Sequence, residues 1–217
     1  MDEARERMLA LFNRSMESNQ PLSWFEELYQ ESDRDRGLIP WDWKEPHPFL
    51  VDWIENFEGN HGRALVVGCG LGEDAAFLST RGWQVTAFDI SESAVEWARK
   101  LHPQIPVEWV VEDLLNTPDS WHGKFDLVLE VHILQAIPRE ISKMASKRLS
   151  PLVATGGHLV CIGRIDDSEE EQTGPPWPLP IDYIEEIGTE LESLGIFTAI
   201  IPDKESTRYR AVWKNSL

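Results

Sequence analysis

The sequence has 217 residues, 41% of them hydrophobic and 27% charged, a balance typical of one globular domain with a sizeable core. Its 38 acidic and 20 basic residues give a formal net charge of −18, which would repel a phosphate backbone and argues against a nucleic-acid partner. No apolar run suits a signal peptide or a membrane span, and both cysteines lie in apolar strand contexts, so we expect a reduced, cytoplasmic protein.

The first part of the chain, residues 1–58, is predicted to form a helical cap on a core at residues 59–217, within one structural domain. Apolar residues at helical spacing indicate short helices, and Ser23 with Glu26 has the spacing of a capping box. Trp41 lies in a proline-bracketed loop of this cap. For its ring, packing against the core and a role as a lid over a cationic ligand are equally open.

The core begins with a run of apolar residues, 64–67, followed by glycines at positions 68, 70 and 72 and then by a helical pattern. Such a run predicts a parallel strand that is buried on both faces. The glycines predict a sharp turn whose backbone approaches a ligand closely, at the N-terminus of a helix. Glu73 stands where a dinucleotide fingerprint has its last glycine, which favours a ligand without phosphates.

Two acidic residues extend this ligand site. Asp89 ends the next predicted strand, 84–89, at the position where an acid meets a ribose in nucleotide-binding folds. Asp113 follows the predicted strand 107–111, where an acid would reach an adenine amino group. The pattern therefore fits an adenosine-type ligand without phosphate, of which S-adenosylmethionine is the common example.

The remaining pattern predicts further strands and helices, at 125–130 (strand), 138–149 (helix), 158–163 (strand), 184–194 (helix, with Asp182 and Glu185 as a capping box), 196–201 and 209–213 (strands). Helices separate the first five strands, whereas the last two are joined by a turn short enough for antiparallel pairing. We therefore predict an α/β fold with a Rossmann-like, doubly wound, seven-stranded sheet that is mostly parallel, with strand 7 antiparallel.

If the reaction needs a general base, the end of the fourth strand is where the sequence offers one. Glu130 and His132 lie there, at the edge of the sheet where ligands bind in such folds, and either is a candidate general base. A histidine at a strand end is also a common structural group. Nothing in the sequence supports Cys69 as a nucleophile, and we predict no metal site.

These features resemble class I S-adenosylmethionine-dependent methyltransferases, in particular the thiopurine, thiol and halide methyltransferases and related bacterial small-molecule enzymes. The resemblance depends on four segments: the Pro40-Trp41-Asp42 turn with its aromatic helix, Gly68-Cys69-Gly70 with Asp74, Gln135-Ala136-Ile137-Pro138, and Gly174-Pro175-Pro176-Trp177. It implies S-adenosylmethionine as cofactor and S-adenosylhomocysteine as product, with cofactor contacts at Trp24, Trp41, Gly68, Cys69, Gly70, Asp74, Asp89, Ile90, Asp113, Leu114 and Glu130. It implies acceptor contacts at Trp41, His132, Pro176 and Trp177.

The predicted activity is methyl transfer to a small soft nucleophile, most simply a thiol, by a monomer or homodimer. Related sequences often have Asp-Arg after strand four, whereas this chain has Glu130-Val131, which counts against an anionic or thiopurine-like acceptor. Two alternatives stay open: an O- or N-methyltransferase that uses His132 or Glu130 as base, and a protein that binds S-adenosylmethionine or a nucleotide without catalysis. A nicotinamide-dependent dehydrogenase is disfavoured by Glu73.

Overall fold

A computed structural model describes residues 3–166, 174–201 and 206–216. At its centre is a seven-stranded sheet with the order β3-β2-β1-β4-β5-β7-β6. The strands are β1 (Arg63–Val67), β2 (Gln84–Asp89), β3 (Val107–Val111), β4 (Phe125–Val131), β5 (Val153–Arg164), β6 (Glu192–Ile200) and β7 (Thr207–Lys214). The acidic tract at 166–172, whose composition predicts a solvated loop, lies outside the described residues except for Asp166, and so does most of the turn between the last two strands.

The sheet confirms the predicted Rossmann-like topology. Strands β1 to β5 are parallel to one another, and β7 lies antiparallel between β5 and β6. The apolar run of β1 is buried because apolar side chains cover both faces of the sheet in two separate clusters. This arrangement brings the ends of β1, β2, β3, β4 and β5 and the beginning of β7 to one edge.

Eight α-helices occur in the described residues: α1 (Glu3–Glu17), α2 (Ser23–Glu31), α3 (Pro48–Glu55), α4 (Glu73–Thr80), α5 (Glu92–Leu101), α6 (Ile133–Ala136), α7 (Arg139–Ser146) and α8 (Ile181–Ile187). The helix predicted at 184–194 is wrong in its second half, because Glu192 and Ser193 pair with β7 as strand residues. The capping box predicted at Asp182 is also wrong, since α8 begins at Ile181 behind Pro180.

The N-terminal helices pack closely against the core. Trp24, Leu28 and Tyr29 of α2 form one apolar cluster with Ala94 and Trp97 of α5. Burial of this face, rather than helix propensity alone, is what stabilises such short helices. Throughout the described residues, no helix combines the length and hydropathy needed to cross a bilayer.

Candidate functional site

The turn after β1 requires glycine at several positions. Gly68, Gly70 and Gly72 have positive φ angles of 58°, 51° and 87°, a region that other residues enter only with strain. A Cβ at Gly68 would overlap the side chain of Ile133, and a Cβ at Gly70 would come within 3.1 Å of the Tyr29 hydroxyl. The glycines therefore fit a turn that is packed on one side and forms the wall of a cavity on the other.

Asp89 connects this turn to the next strand. Its carboxylate accepts hydrogen bonds from the backbone N–H of Gly70 at 2.9 Å and of Ser91 at 3.0 Å. The residue is 7% exposed, and burial raises its pKa even though these bonds oppose the change. Asp89 thus holds the glycine turn against the start of α5 and still contributes to the cavity wall.

Asp113 has a structural role of its own at the end of β3. Its side chain accepts from the Leu115 N–H at 2.9 Å and from the Asn116 amide at 2.8 Å, which caps a short 3₁₀ turn. Ile90 and Leu114 line the same part of the cavity. These three residues form an apolar surface bordered by carboxylate, with the character expected of a nucleoside pocket.

Aromatic residues of the cap cover the glycine turn. Trp24 is only 1% exposed and stacks on Phe25 with ring centroids 3.9 Å apart. The Trp41 indole N–H donates to the Tyr29 hydroxyl at 3.0 Å, and its ring meets Trp24 edge to face. For Trp41, the two open interpretations are both consistent with this geometry, because the ring packs within the cap and also lines the cavity.

Polar contacts attach the cap to the core around the cavity. Glu26 accepts from the hydroxyls of Ser91 and Ser93 at 2.6 and 2.7 Å and from the Ser93 N–H at 3.1 Å. The predicted capping box is therefore wrong: Ser23 is the first helical residue of α2, and Glu26 caps the N-terminus of α5 instead. A carboxylate there satisfies amide groups that the helix leaves unpaired.

Two further contacts lie on the opposite side of the turn. Arg36 bonds Asp42 and also Glu73, the latter at 2.6 Å. The backbone N–H of His47 donates to Asp74 at 2.8 Å, and burial raises the pKa of Asp74 to about 6. Glu73 and Asp74 therefore connect the first turn of α4 to the cap, a use of Glu73 that the glycine spacing did not predict.

Residues of the glycine turn, of the aromatic cap and of the strand ends line one cavity of about 480 Å³, within the range of pockets that enclose small ligands. Of the predicted site residues, twelve line it: Trp24, Trp41, Gly68, Cys69, Gly70, Asp74, Asp89, Ile90, Asp113, Leu114, His132 and Pro176. Glu130 and Trp177 are the two that do not. Trp177 instead packs edge to face on Phe12, with ring centroids 5.4 Å apart.

The protonation of His132 follows from its neighbour Gln135. The Gln135 amide nitrogen donates to the Arg164 and Trp177 carbonyls, while its oxygen accepts from the Arg164 N–H at 2.7 Å. That oxygen lies 3.0 Å from His132 Nδ1, so Nδ1 carries the proton and Nε2 keeps its lone pair. Burial lowers the pKa of His132 to about 4, so the imidazole is neutral and a weak base.

Glu130 is buried where it cannot meet an acceptor. Its side chain is 0% exposed, and one oxygen accepts from the N–H groups of Ile133 and Leu134 at 2.6 and 3.1 Å. Burial raises its pKa to about 7. The predicted contact with cofactor or acceptor therefore needs correction, because the carboxyl caps α6 from beneath the cavity wall.

Several cavity residues were not among the candidates from sequence. Tyr29 and His47 come from the cap, and Arg164 and Arg208 come from β5 and β7. Burial is the main cause that lowers the pKa of His47 to about 2, so it too is neutral. The arginines had a weak signal: antiparallel pairing places the beginning of β7 beside the end of β5, at the ligand edge.

Residues 30–196 match the family model described as thiopurine S-methyltransferase (TPMT). The chain is 28% identical to a probable thiol methyltransferase 2 of Arabidopsis thaliana over 197 residues, covering 90% of this chain and 82% of that protein. It is 26% identical to a thiopurine S-methyltransferase of Vibrio atlanticus over 151 residues, 63% of this chain and 69% of that one.

Solved structures show the same fold. An N1-methyltransferase of Burkholderia thailandensis, with bound S-adenosylhomocysteine, superposes with a TM-score of 0.70 at 16% identity, over 90% of this chain and 87% of that one. The N-methyltransferase NodS of Bradyrhizobium japonicum, also with S-adenosylhomocysteine, gives a TM-score of 0.67 at 20% identity, over 88% and 99% of the two chains.

Proposed function

Because the chain belongs to the thiopurine S-methyltransferase family and is therefore an S-adenosylmethionine-dependent methyltransferase, we propose that its acceptor is a small thiol. S-Adenosylmethionine supplies a methyl group on a positively charged sulfur, so the protein must bind the cofactor and the acceptor, align the two and exclude water. The observation that carries the proposal is that neither imidazole on the described cavity wall is placed as a strong base: His47 is only 4% exposed, and the Nδ1 of His132 is bound by the Gln135 oxygen at 3.0 Å. Burial lowers the pKa of both.

The residues around the glycine turn fit this cofactor. Gly68 and Gly70 add no Cβ to the turn, and the Asp89 carboxylate, which lines the cavity, would meet the ribose hydroxyls. Asp113, Ile90 and Leu114 would border the adenine. Cys69 and Asp74 would lie near the methionine part, and Trp24 and Trp41 would cover it, with residues 1–58 acting as the lid of the core.

The acceptor side suits a nucleophile that needs little base catalysis. A thiol with a pKa of about 8.5 is already partly ionised at neutral pH, so a weak base is sufficient to remove its proton. An alcohol would have to lose its proton during the reaction, and an imidazole with a pKa of about 4 gives little driving force for that step. Pro176 and Trp41 would shape the acceptor part of the cavity.

The test compares His132→Ala with the parent enzyme on thiols and on matched alcohols, with release of S-adenosylhomocysteine as the readout. We expect turnover of thiols such as 2-mercaptoethanol, no turnover of ethylene glycol, and less than about a tenfold loss in the variant. General base catalysis contributes about 10²–10⁴-fold. A loss of that size, with cofactor binding intact, would instead indicate an O- or N-acceptor and a catalytic imidazole.

A further inference from the structure

Two arginines line the cavity on its β5 and β7 side, which β1 and β4 separate from the ends of β2 and β3 that carry Asp89 and Asp113. Arg164 is the last residue of β5, Arg208 is the second residue of β7, and the two are paired in register in the antiparallel ladder. Both line the cavity. The chain as a whole has a net charge of −18, so two neighbouring arginines on one cavity wall are an unusual concentration of basic residues in this protein.

Arg208 is buried without a carboxylate partner among the residues that the structure describes. It is 7% exposed, and its Nε has no hydrogen-bond acceptor. Its guanidinium lies 5.9 Å from the centroid of the Trp43 ring. Burial and the neighbouring Arg164 lower its pKa to about 10, so it remains a cation at neutral pH. Burying a cation without an anion costs free energy unless a ligand supplies the opposite charge.

Arg210, two residues further along β7, has the carboxylate partner that Arg208 lacks in the described part of the chain. It forms an ion pair with Asp52 at 2.6 Å and donates to the Phe49 carbonyl at 2.9 Å. Because residues two apart on a strand share a face, Arg210 differs from Arg208 mainly in its partner and in lying outside the cavity wall. It is therefore a matched control for the loss of an arginine from this strand.

We propose that Arg208 binds a carboxylate carried by the acceptor, and that the enzyme methylates small mercaptocarboxylates. This proposal rests on the proposed thiol methylation. A guanidinium matches a carboxylate through two parallel hydrogen bonds. The departure at Glu130-Val131 counted against an anionic acceptor, but here the positive charge comes from β7 instead of from the end of β4.

The cofactor's own carboxylate is a less suitable partner for Arg208. In the sheet, β4 and β5 separate β7 from β1, where the glycine turn begins. Three strand spacings of about 4.8 Å place the two ends about 14 Å apart. The guanidinium lies near His132 on the proposed acceptor side and also near His47, and it helps to lower the pKa of both imidazoles.

The test measures binding rather than turnover, by calorimetry on protein saturated with S-adenosylhomocysteine. The probes are 3-(methylthio)propionate and its neutral amide, so that only the carboxylate differs. We expect the carboxylate to bind about 10- to 100-fold more tightly, the range of a buried charged hydrogen bond. Arg208→Met should reduce that preference to less than threefold, Arg208→Lys should keep part of it, and Arg210→Met should leave it unchanged.

Several results would overturn the proposal. Equal binding of the two probes by the parent protein would do so, as would an unchanged preference in Arg208→Met. A tenfold loss of S-adenosylhomocysteine affinity in Arg208→Met, but not in Arg210→Met, would assign the guanidinium to the cofactor. Retained S-adenosylhomocysteine binding shows that each variant is folded. Carboxylate-selective binding without methylation of 3-mercaptopropionate would support the anion site and contradict thiol methylation.

Discussion

Replacement of Gly68 by alanine tests whether the glycine turn forms the cofactor surface. Gly68 has a φ of 58°, where alanine costs about 1–2 kcal/mol. Its new Cβ would also overlap Cδ1 and Cγ1 of Ile133, and overpacking of this kind costs about 1–3 kcal/mol. We therefore expect Gly68→Ala to destabilise the protein by about 2–5 kcal/mol and to weaken S-adenosylhomocysteine binding by about tenfold or more.

Gly123→Ala is the matched control, because Gly123 has a φ of 63° and nothing within 4 Å of its would-be Cβ. This variant should show only the backbone strain, a fall of roughly 2–8 °C in melting temperature at about 2–4 °C per kcal/mol for a chain of this size. Its affinity for S-adenosylhomocysteine should be unchanged. Calorimetry and thermal unfolding of both variants provide the comparison. Equal affinities and equal melting temperatures would refute the proposed close approach at Gly68.

Two other variants test the roles of buried or bridging carboxylates. Burial raises the pKa of Glu130 from its usual 4.5 to about 7, so its contribution to the free energy of unfolding is present below pH 4.5 and is lost as the pH rises to 7. At about 1.4 kcal/mol per pH unit, Glu130→Gln should remove about 3 kcal/mol of this pH dependence in denaturant titrations and keep turnover. A turnover loss above about a hundredfold would instead identify Glu130 as a base. At Glu26, burial raises the pKa, but the hydrogen bonds from Ser91 and Ser93 outweigh burial and lower the pKa overall. The Glu26 carboxylate therefore stabilises the folded state fully above the ordinary glutamate range, and this stabilisation is lost as the pH falls through the lowered pKa. Glu26→Gln should therefore cost about 1–2 kcal/mol at neutral pH and nothing in acid, and a pH-independent difference would show that the charge is irrelevant.

The elements predicted best from sequence are those with strong local patterns. The bounds of β2 and β3 agree with the predicted strands at 84–89 and 107–111, and Ser91, which stands directly before α5, caps that helix by accepting from the Ala94 N–H. Each of these depends on residues adjacent in sequence: alternating or continuous apolar runs, or one hydroxyl before a helix. The glycine turn was predictable for the same reason.

The errors arose where distant residues compete with local preference. Glu26 has the spacing of a capping box, but Ser91 and Ser93 provide stronger partners across the cap–core boundary. Residues 192–194 continue a helical pattern, yet pairing with β7 turns them into a strand. The location of Arg208 in the cavity depends on insertion of β7 between β5 and β6, which no local spacing specifies.

Methyl transfer to sulfur is tested most directly by following the methyl group itself. The purified protein is incubated with S-adenosylmethionine that carries a deuterated methyl group and with equal amounts of 3-mercaptopropionate and 3-hydroxypropionate, and the products are identified by mass spectrometry. We predict labelled 3-(methylthio)propionate in equal amount to S-adenosylhomocysteine, with no labelled ether, and no product from Asp89→Ala. A labelled ether as the main product, or no labelled thioether from protein that binds S-adenosylhomocysteine, would contradict methyl transfer to sulfur at this site.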